Sequence, residues 1–175
     1  MVITALPFEL HPRIPAQGLS LKDRWGARYA EADSMYRRIE EECEAVGLPF
    51  RRPEWIPNTR RALETAECVR VRFPAAFDAL DRSLFDAHFV EGRNIGDPAV
   101  LDSLVSAAGA DASAVRAAVD AGSLRLAVEE SMVEAREHDV TGTPSWLLDG
   151  RLLIPGVLPR HLFERAVHRL TGGED

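Results

Sequence analysis

Apolar residues change their spacing twice along the chain. Near both ends they stand in short unbroken runs, and between the ends they recur every three or four positions. Residues Val2 to Leu10 predict a short strand near a sheet edge, broken by Pro7 and by the run His11-Pro12-Arg13-Ile14-Pro15. From about Ser20 to Ala45 the residues are charged and helix-forming. Trp25, Tyr29, Met35, Tyr36 and Ile39 give this stretch an irregular apolar face, and Gly47 ends it. Leu48-Pro49-Phe50 predicts a brief extended piece, followed by the proline-punctuated loop RRPEWIP.

Asn58 is a good helix cap, and Ala62, Ala66, Val69 and Phe73 follow it at helical spacing. A second helix is predicted from Ala75 to Phe89, just beyond Pro74. Asp97-Pro98 is a cap followed by proline at the first helical position, with Val100, Leu101, Leu104, Val105 and Ala108 as the inward stripe. Asp111 caps a short helix, and Ser123 to His138 predicts another. The last, Arg160 to Leu170, carries Leu162, Phe163, Ala166, Val167 and Leu170 on one face.

Between the last two helices, Ser145-Trp146-Leu147-Leu148, Asp149-Gly150 and Arg151-Leu152-Leu153-Ile154 predict a β-hairpin around a two-residue turn. Gly150 supplies the positive φ of a type I′ turn. The run of leucines is too continuous for a sheet with one wet face, so cover on both sides is expected. Pro144 stands at the first strand position, where a missing N–H is tolerated, and the Thr143-Pro144 bond is a candidate cis peptide. A first strand separated from a hairpin by a block of helices implies an α/β domain with a helical insertion, its sheet built by the two ends.

The chain has 175 residues, 46% hydrophobic and 28% charged, enough for one sizeable core and too apolar for disorder. A net charge of −7 argues against a nucleic-acid surface. Arg51, Arg52, Arg60 and Arg61 cluster in sequence; they read as solvated arginines, with an anion contact as the sharper alternative. No segment approaches the roughly 18 apolar residues of a membrane span, and the first residues lack the features of a signal peptide, so a cytoplasmic location is expected. Cys43 and Cys68 lie too far apart for a C-x-x-C pair and are expected as buried or half-buried thiols.

His161 and His168, with Glu164 between them, lie on the last predicted helix. Two turns separate the histidines by roughly 10 Å along the axis, too far for one ion, so no metal is expected. Glu129, Glu130, Glu134 and Glu137 read as a solvated helix face. Trp55 and Trp146 suit a core or a pocket wall. No phosphate-binding glycine loop or G-x-S-x-G elbow occurs.

The segments LPFELHPRIP, PNTRRALETAECVR, LFDAHFVEGRNIGDPAVLDSL and VTGTPSWLLDGRLLIPGVLP resemble, in order over nearly the whole chain, the cytoplasmic DsbA-like thioredoxin-fold oxidoreductases. The resemblance is close to the group of 2-hydroxychromene-2-carboxylate isomerases and kappa-class glutathione transferases. It implies an α/β, thioredoxin-like fold with an inserted α-helical domain. Residues 1–18 and 138–175 would form the incomplete thioredoxin-like domain and 19–137 the insertion. Pro144 would be the family's cis-proline, and the Thr143 backbone the edge that pairs with a thiol substrate or glutathione. Asn58 and Thr59 would stand at the helix start that contributes to the pocket in the isomerase and transferase relatives.

This sequence departs from the family pattern at its start. Relatives place a strand and a C-x-x-C, or a serine equivalent, ahead of the strand ending in PFELHP, so the sequence reads as an N-terminally truncated form with no catalytic residue assignable. Disulfide exchange needs a thiolate activated at a helix N-terminus and a second, resolving thiol. The expectation is therefore a family member without redox activity in this chain. The alternatives are a glutathione-dependent isomerase or transferase, or a non-catalytic binding module. No cofactor is expected beyond glutathione as co-substrate. Partners would be a thiol or disulfide substrate, peptide or small molecule, with neither nucleic acid nor membrane. An opened sheet edge would invite pairing with a second copy as a homodimer.

Overall fold

A computed structural model describes residues 3–156 and 158–170. It divides into two compact units, residues 1–10 with 129–175, and residues 11–128.

In the unit of residues 11–128, β1 (Leu19–Ser20) pairs antiparallel with β2 (Trp55–Ile56), Leu19 opposite Ile56 and Ser20 opposite Trp55. The Leu21 N–H extends this ladder to the Glu54 carbonyl at 2.9 Å. The proline-rich stretch expected as loop thus supplies a strand, because Pro53 and Pro57 flank its two paired residues without removing a ladder donor.

The helix expected from Ser20 to Ala45 is broken. α1 (Leu21–Trp25) is capped by the Ser20 hydroxyl, which accepts the Asp23 N–H at 3.0 Å. A 3₁₀ turn over Gly26–Arg28 then leads into α2 (Tyr29–Ala45), with Gly26 at φ 51°. The apolar face expected on α2 is largely uncovered: Ala32 is its buried residue, whereas Met35 and Ile39 are exposed.

The core lies among α3 (Arg60–Arg72), α4 (Pro74–Phe89), α5 (Pro98–Ala107) and α6 (Ala112–Asp120). Leu80, Leu101, Val69, Val105 and Val115 are its fully buried larger side chains. Burying each is worth about 1.5–3 kcal/mol relative to leaving it in water. Leu84, Leu104, Val119 and Leu124 extend the same cluster, and Ala62, Ala76, Ala87 and Ala118 add small side chains to it. Asp97 and Asp111 accept the Ala99 and Ala114 N–H groups, so α5 and α6 begin where their caps predict. α3 also buries two carboxylates. Glu64 is met by Arg60 Nε at 2.8 Å and Glu67 by Arg70 Nη2 at 2.5 Å, which offsets the desolvation of each charge.

α7 (Arg125–Glu137) contains the division between the units. In the unit of residues 1–10 with 129–175, β3 (Ser145–Leu148) and β4 (Leu152–Pro155) form an antiparallel hairpin, and α8 (Arg160–Leu170) follows. The strand expected over Val2–Leu10 does not form within the described residues of that stretch, 3–10; Val2 lies outside them. Side chains of α7 take up its backbone instead. The Ser131 hydroxyl donates to the Pro7 carbonyl at 2.8 Å, and the Glu9 N–H points to Met132 Sδ at 3.1 Å. Among the described residues the two strand pairs are separate, so a sheet built by both ends is not observed.

Candidate functional site

α7 ends with Asp139 in the left-handed region at φ 56°, and the Val140 N–H returns to the Ala135 carbonyl at 2.8 Å. This closure turns the chain into the loop that carries Thr143 and Pro144. The Ser145 hydroxyl donates to the Gly142 carbonyl at 2.7 Å, and the Gly156 N–H donates to the Pro144 carbonyl at 2.7 Å. The loop is thereby tied to both ends of the hairpin. The Thr143–Pro144 peptide is cis, and both residues are exposed. Among the described residues, no hydrogen bond takes up the Thr143 N–H or carbonyl. That leaves a short stretch of backbone able to pair with another chain.

Below this loop the ladder pairs Trp146 with Ile154, Leu147 with Leu153 and Leu148 with Leu152. Asp149 and Gly150 both have positive φ, 54° and 65°, as a type I′ turn requires. Leu148 pairs with Leu152, so Arg151 belongs to the connection and not to the strand as expected. Ile154 is buried, and Phe163 of α8 meets Trp146 edge to face at 5.2 Å. The expected cover on both faces is not found among the described residues, since Trp146 and Leu152 stay exposed.

Asn58 stands one residue before the cap of α3, and its amide is used at both ends. Oδ1 accepts the Arg60 N–H at 3.1 Å and Nδ2 donates to the Ile14 carbonyl at 2.7 Å. The amide thus joins the segment preceding β1 to the helix start. Gly96 packs against the Asn58 backbone, where a Cβ would come within 2.9 Å of the Asn58 main-chain carbonyl oxygen. Thr59 is the cap residue itself, and its side chain makes no capping bond.

Both thiols are free. Cys68 is fully buried in α3, and burial pushes its thiol above the ordinary range despite nearby Arg72. Cys43, half-buried, lies in the last turn of α2, not at a helix N-terminus. Neither has the setting of an activated nucleophile. Among the described residues, no cluster of His, Cys, Asp and Glu side chains could hold a metal, and no helix is long and apolar enough to cross a membrane.

The arginine cluster separates once folded. Arg52 pairs with Asp33 and with Glu40, the latter at 2.8 Å, and lies over the Tyr36 ring. Arg60 is held by Glu64 and Arg61 by Asp120 at 2.5 Å. Arg51 instead faces a cleft of about 430 Å³ in the unit of residues 11–128, shared with Trp55, His88 and Asn94. Burial holds the His88 imidazole below its ordinary value, only partly opposed by a hydrogen bond to the Arg93 backbone. This cleft was not legible in sequence, because its walls come from three separated stretches, at Gln17, at residues 51–57 and at residues 88–94.

The DsbA-like thioredoxin domain matches residues 1–168. The chain belongs to the DsbA-like thioredoxin family. An uncharacterized protein of Bacillus subtilis (strain 168), YwbO, is 29% identical over 163 residues, which is 93% of this chain and 78% of that protein. In fold, the chain is similar to a probable DsbA oxidoreductase from Streptomyces coelicolor. That structure is 23% identical, with a TM-score of 0.83 over 96% of this chain and 74% of the other. The α/β, thioredoxin-like fold expected of a DsbA-like chain therefore holds.

Proposed function

We propose that this DsbA-like chain holds a thiol or disulfide substrate, peptide or small molecule, at the Thr143–Pro144 loop without itself exchanging disulfides. The observation that carries this reading is the exposed Thr143 backbone, whose N–H and carbonyl take no partner among the described residues. An extended substrate segment would supply the missing ladder partner, as in β-strand addition. In the same reading, the hairpin and α8 belong to the thioredoxin-like domain, and the helices of residues 19–137 to its insertion.

Redox turnover would require one of two ill-suited thiols, Cys43 at a helix C-terminus or the fully buried Cys68. Reduction of insulin by dithiothreitol should therefore run no faster with this chain than without it. Acceleration that is lost in the Cys43→Ser, Cys68→Ser double variant would sink the proposal. Micromolar binding of glutathione by calorimetry would favour the glutathione-dependent isomerase or transferase alternative.

A further inference from the structure

Three of the four clustered arginines are neutralised by carboxylates, and the fourth is not. Arg51 is exposed, and among the described residues no acidic side chain pairs with it. Its position is nevertheless fixed. The Arg51 N–H donates to the Phe89 carbonyl at 2.5 Å, and the guanidinium lies over Gly92, its Nη1 3.2 Å from where a Cβ would stand. Trp55 shares the cleft, seated against Gly18, where any side chain would collide with the indole. It remains 42% exposed, so ring surface is left for another molecule.

We propose that this cleft binds a small organic monoanion, a carboxylate on a flat apolar body, with the oxyanion on Arg51 and the ring against Trp55. A guanidinium offers paired donors that match a carboxylate, and an indole face favours a planar ring. The cleft volume falls within the range of small-molecule sites. The charges of its other groups set the ligand's charge. Arg52 is offset by Asp33 and Glu40, and Arg93 by Glu91 and a hydrogen bond to the Ser103 hydroxyl. Glu54 adds a carboxylate to the wall, so one negative charge is accommodated and a second is repelled. The site is independent of the Thr143–Pro144 loop and stands whether or not that loop binds a substrate.

The full chain is titrated at pH 7.5 with benzoate, benzamide and phenyl phosphate, following tryptophan emission and backbone amide shifts. Benzoate should bind saturably with a Kd on the order of 1 mM. It should quench an emission that Trp55→Phe removes and shift the Gly92 and Asn94 amides. Benzamide, with the same ring and no charge, should bind about tenfold more weakly, and Arg51→Ala should weaken benzoate by about the same factor. Phenyl phosphate should bind more weakly than benzoate and recover in Glu54→Gln. Equal binding of benzoate and benzamide, phenyl phosphate binding tighter than benzoate, or shifts centred elsewhere would each overturn the proposal. The comparison of ligands on the unaltered chain needs no variant to fold.

Discussion

His88 shows how a single residue's surroundings decide its chemistry. In sequence it is one histidine in a helix; in the fold, burial beside Phe89 penalises its charged form. Its folded pKa lies below the unfolded value near 6.5, so between the two the unfolded chain binds the proton and the folded chain does not. The stabilisation is complete above about pH 6.5 and is lost as the pH falls toward the folded value. Urea denaturation between pH 7 and pH 5 should show a decline that is shallower in His88→Gln; identical slopes would mean that His88 titrates normally. Other residue roles were legible because they are local. Asp97 and Asp111 cap the helices they precede, since a cap needs only its own next few N–H groups. Asn58 was read as a cap, and its Oδ1 does serve the helix start, but its second bond, to Ile14, depends on a distant segment.

At the scale of elements, the hairpin and the helices from α3 onward were legible, whereas the break at Gly26 and the lack of a strand over residues 3–10 were not. Helical spacing and turn chemistry are properties of a few adjacent residues, so Pro74–Phe89 and Arg160–Leu170 form close to where the pattern places them. A strand has no internal hydrogen bonds and forms only where a partner lies alongside. Residues 3–10 have side chains of α7 beside them instead. The hairpin turn carries its own test. Gly150 sits at φ 65° with open space around it, so a side chain there meets no neighbour and only the backbone conformation is strained. Gly150→Ala should destabilise the hairpin by about 1 kcal/mol, visible as faster amide exchange at Leu147 and Leu153. Unchanged exchange would show that the turn tolerates an L side chain.

At the scale of the whole molecule, the unit of residues 11–128 contains the cluster built around Leu80, Leu101, Val105 and Val115. A contiguous stretch with its own core should fold alone. Residues 11–128 expressed by themselves should unfold in one cooperative transition, seen alike by circular dichroism and by tryptophan emission. Non-coincident transitions would mean that the rest of the chain is needed.

The amino-acid sequence alone determined the helices from α3 onward, the caps of α5 and α6, the hairpin, the family resemblance and the unsuitability of the two cysteines for exchange chemistry. Each depends on neighbouring residues or on the order of motifs. Only the tertiary structure decided that Arg52, Arg60 and Arg61 are neutralised while Arg51 is not. It alone set Trp55 and His88 in one cleft and left the Thr143 backbone unpaired among the described residues. Pairing, burial and concavity are relations between residues far apart in the chain, and spacing along a sequence does not encode which distant group will arrive.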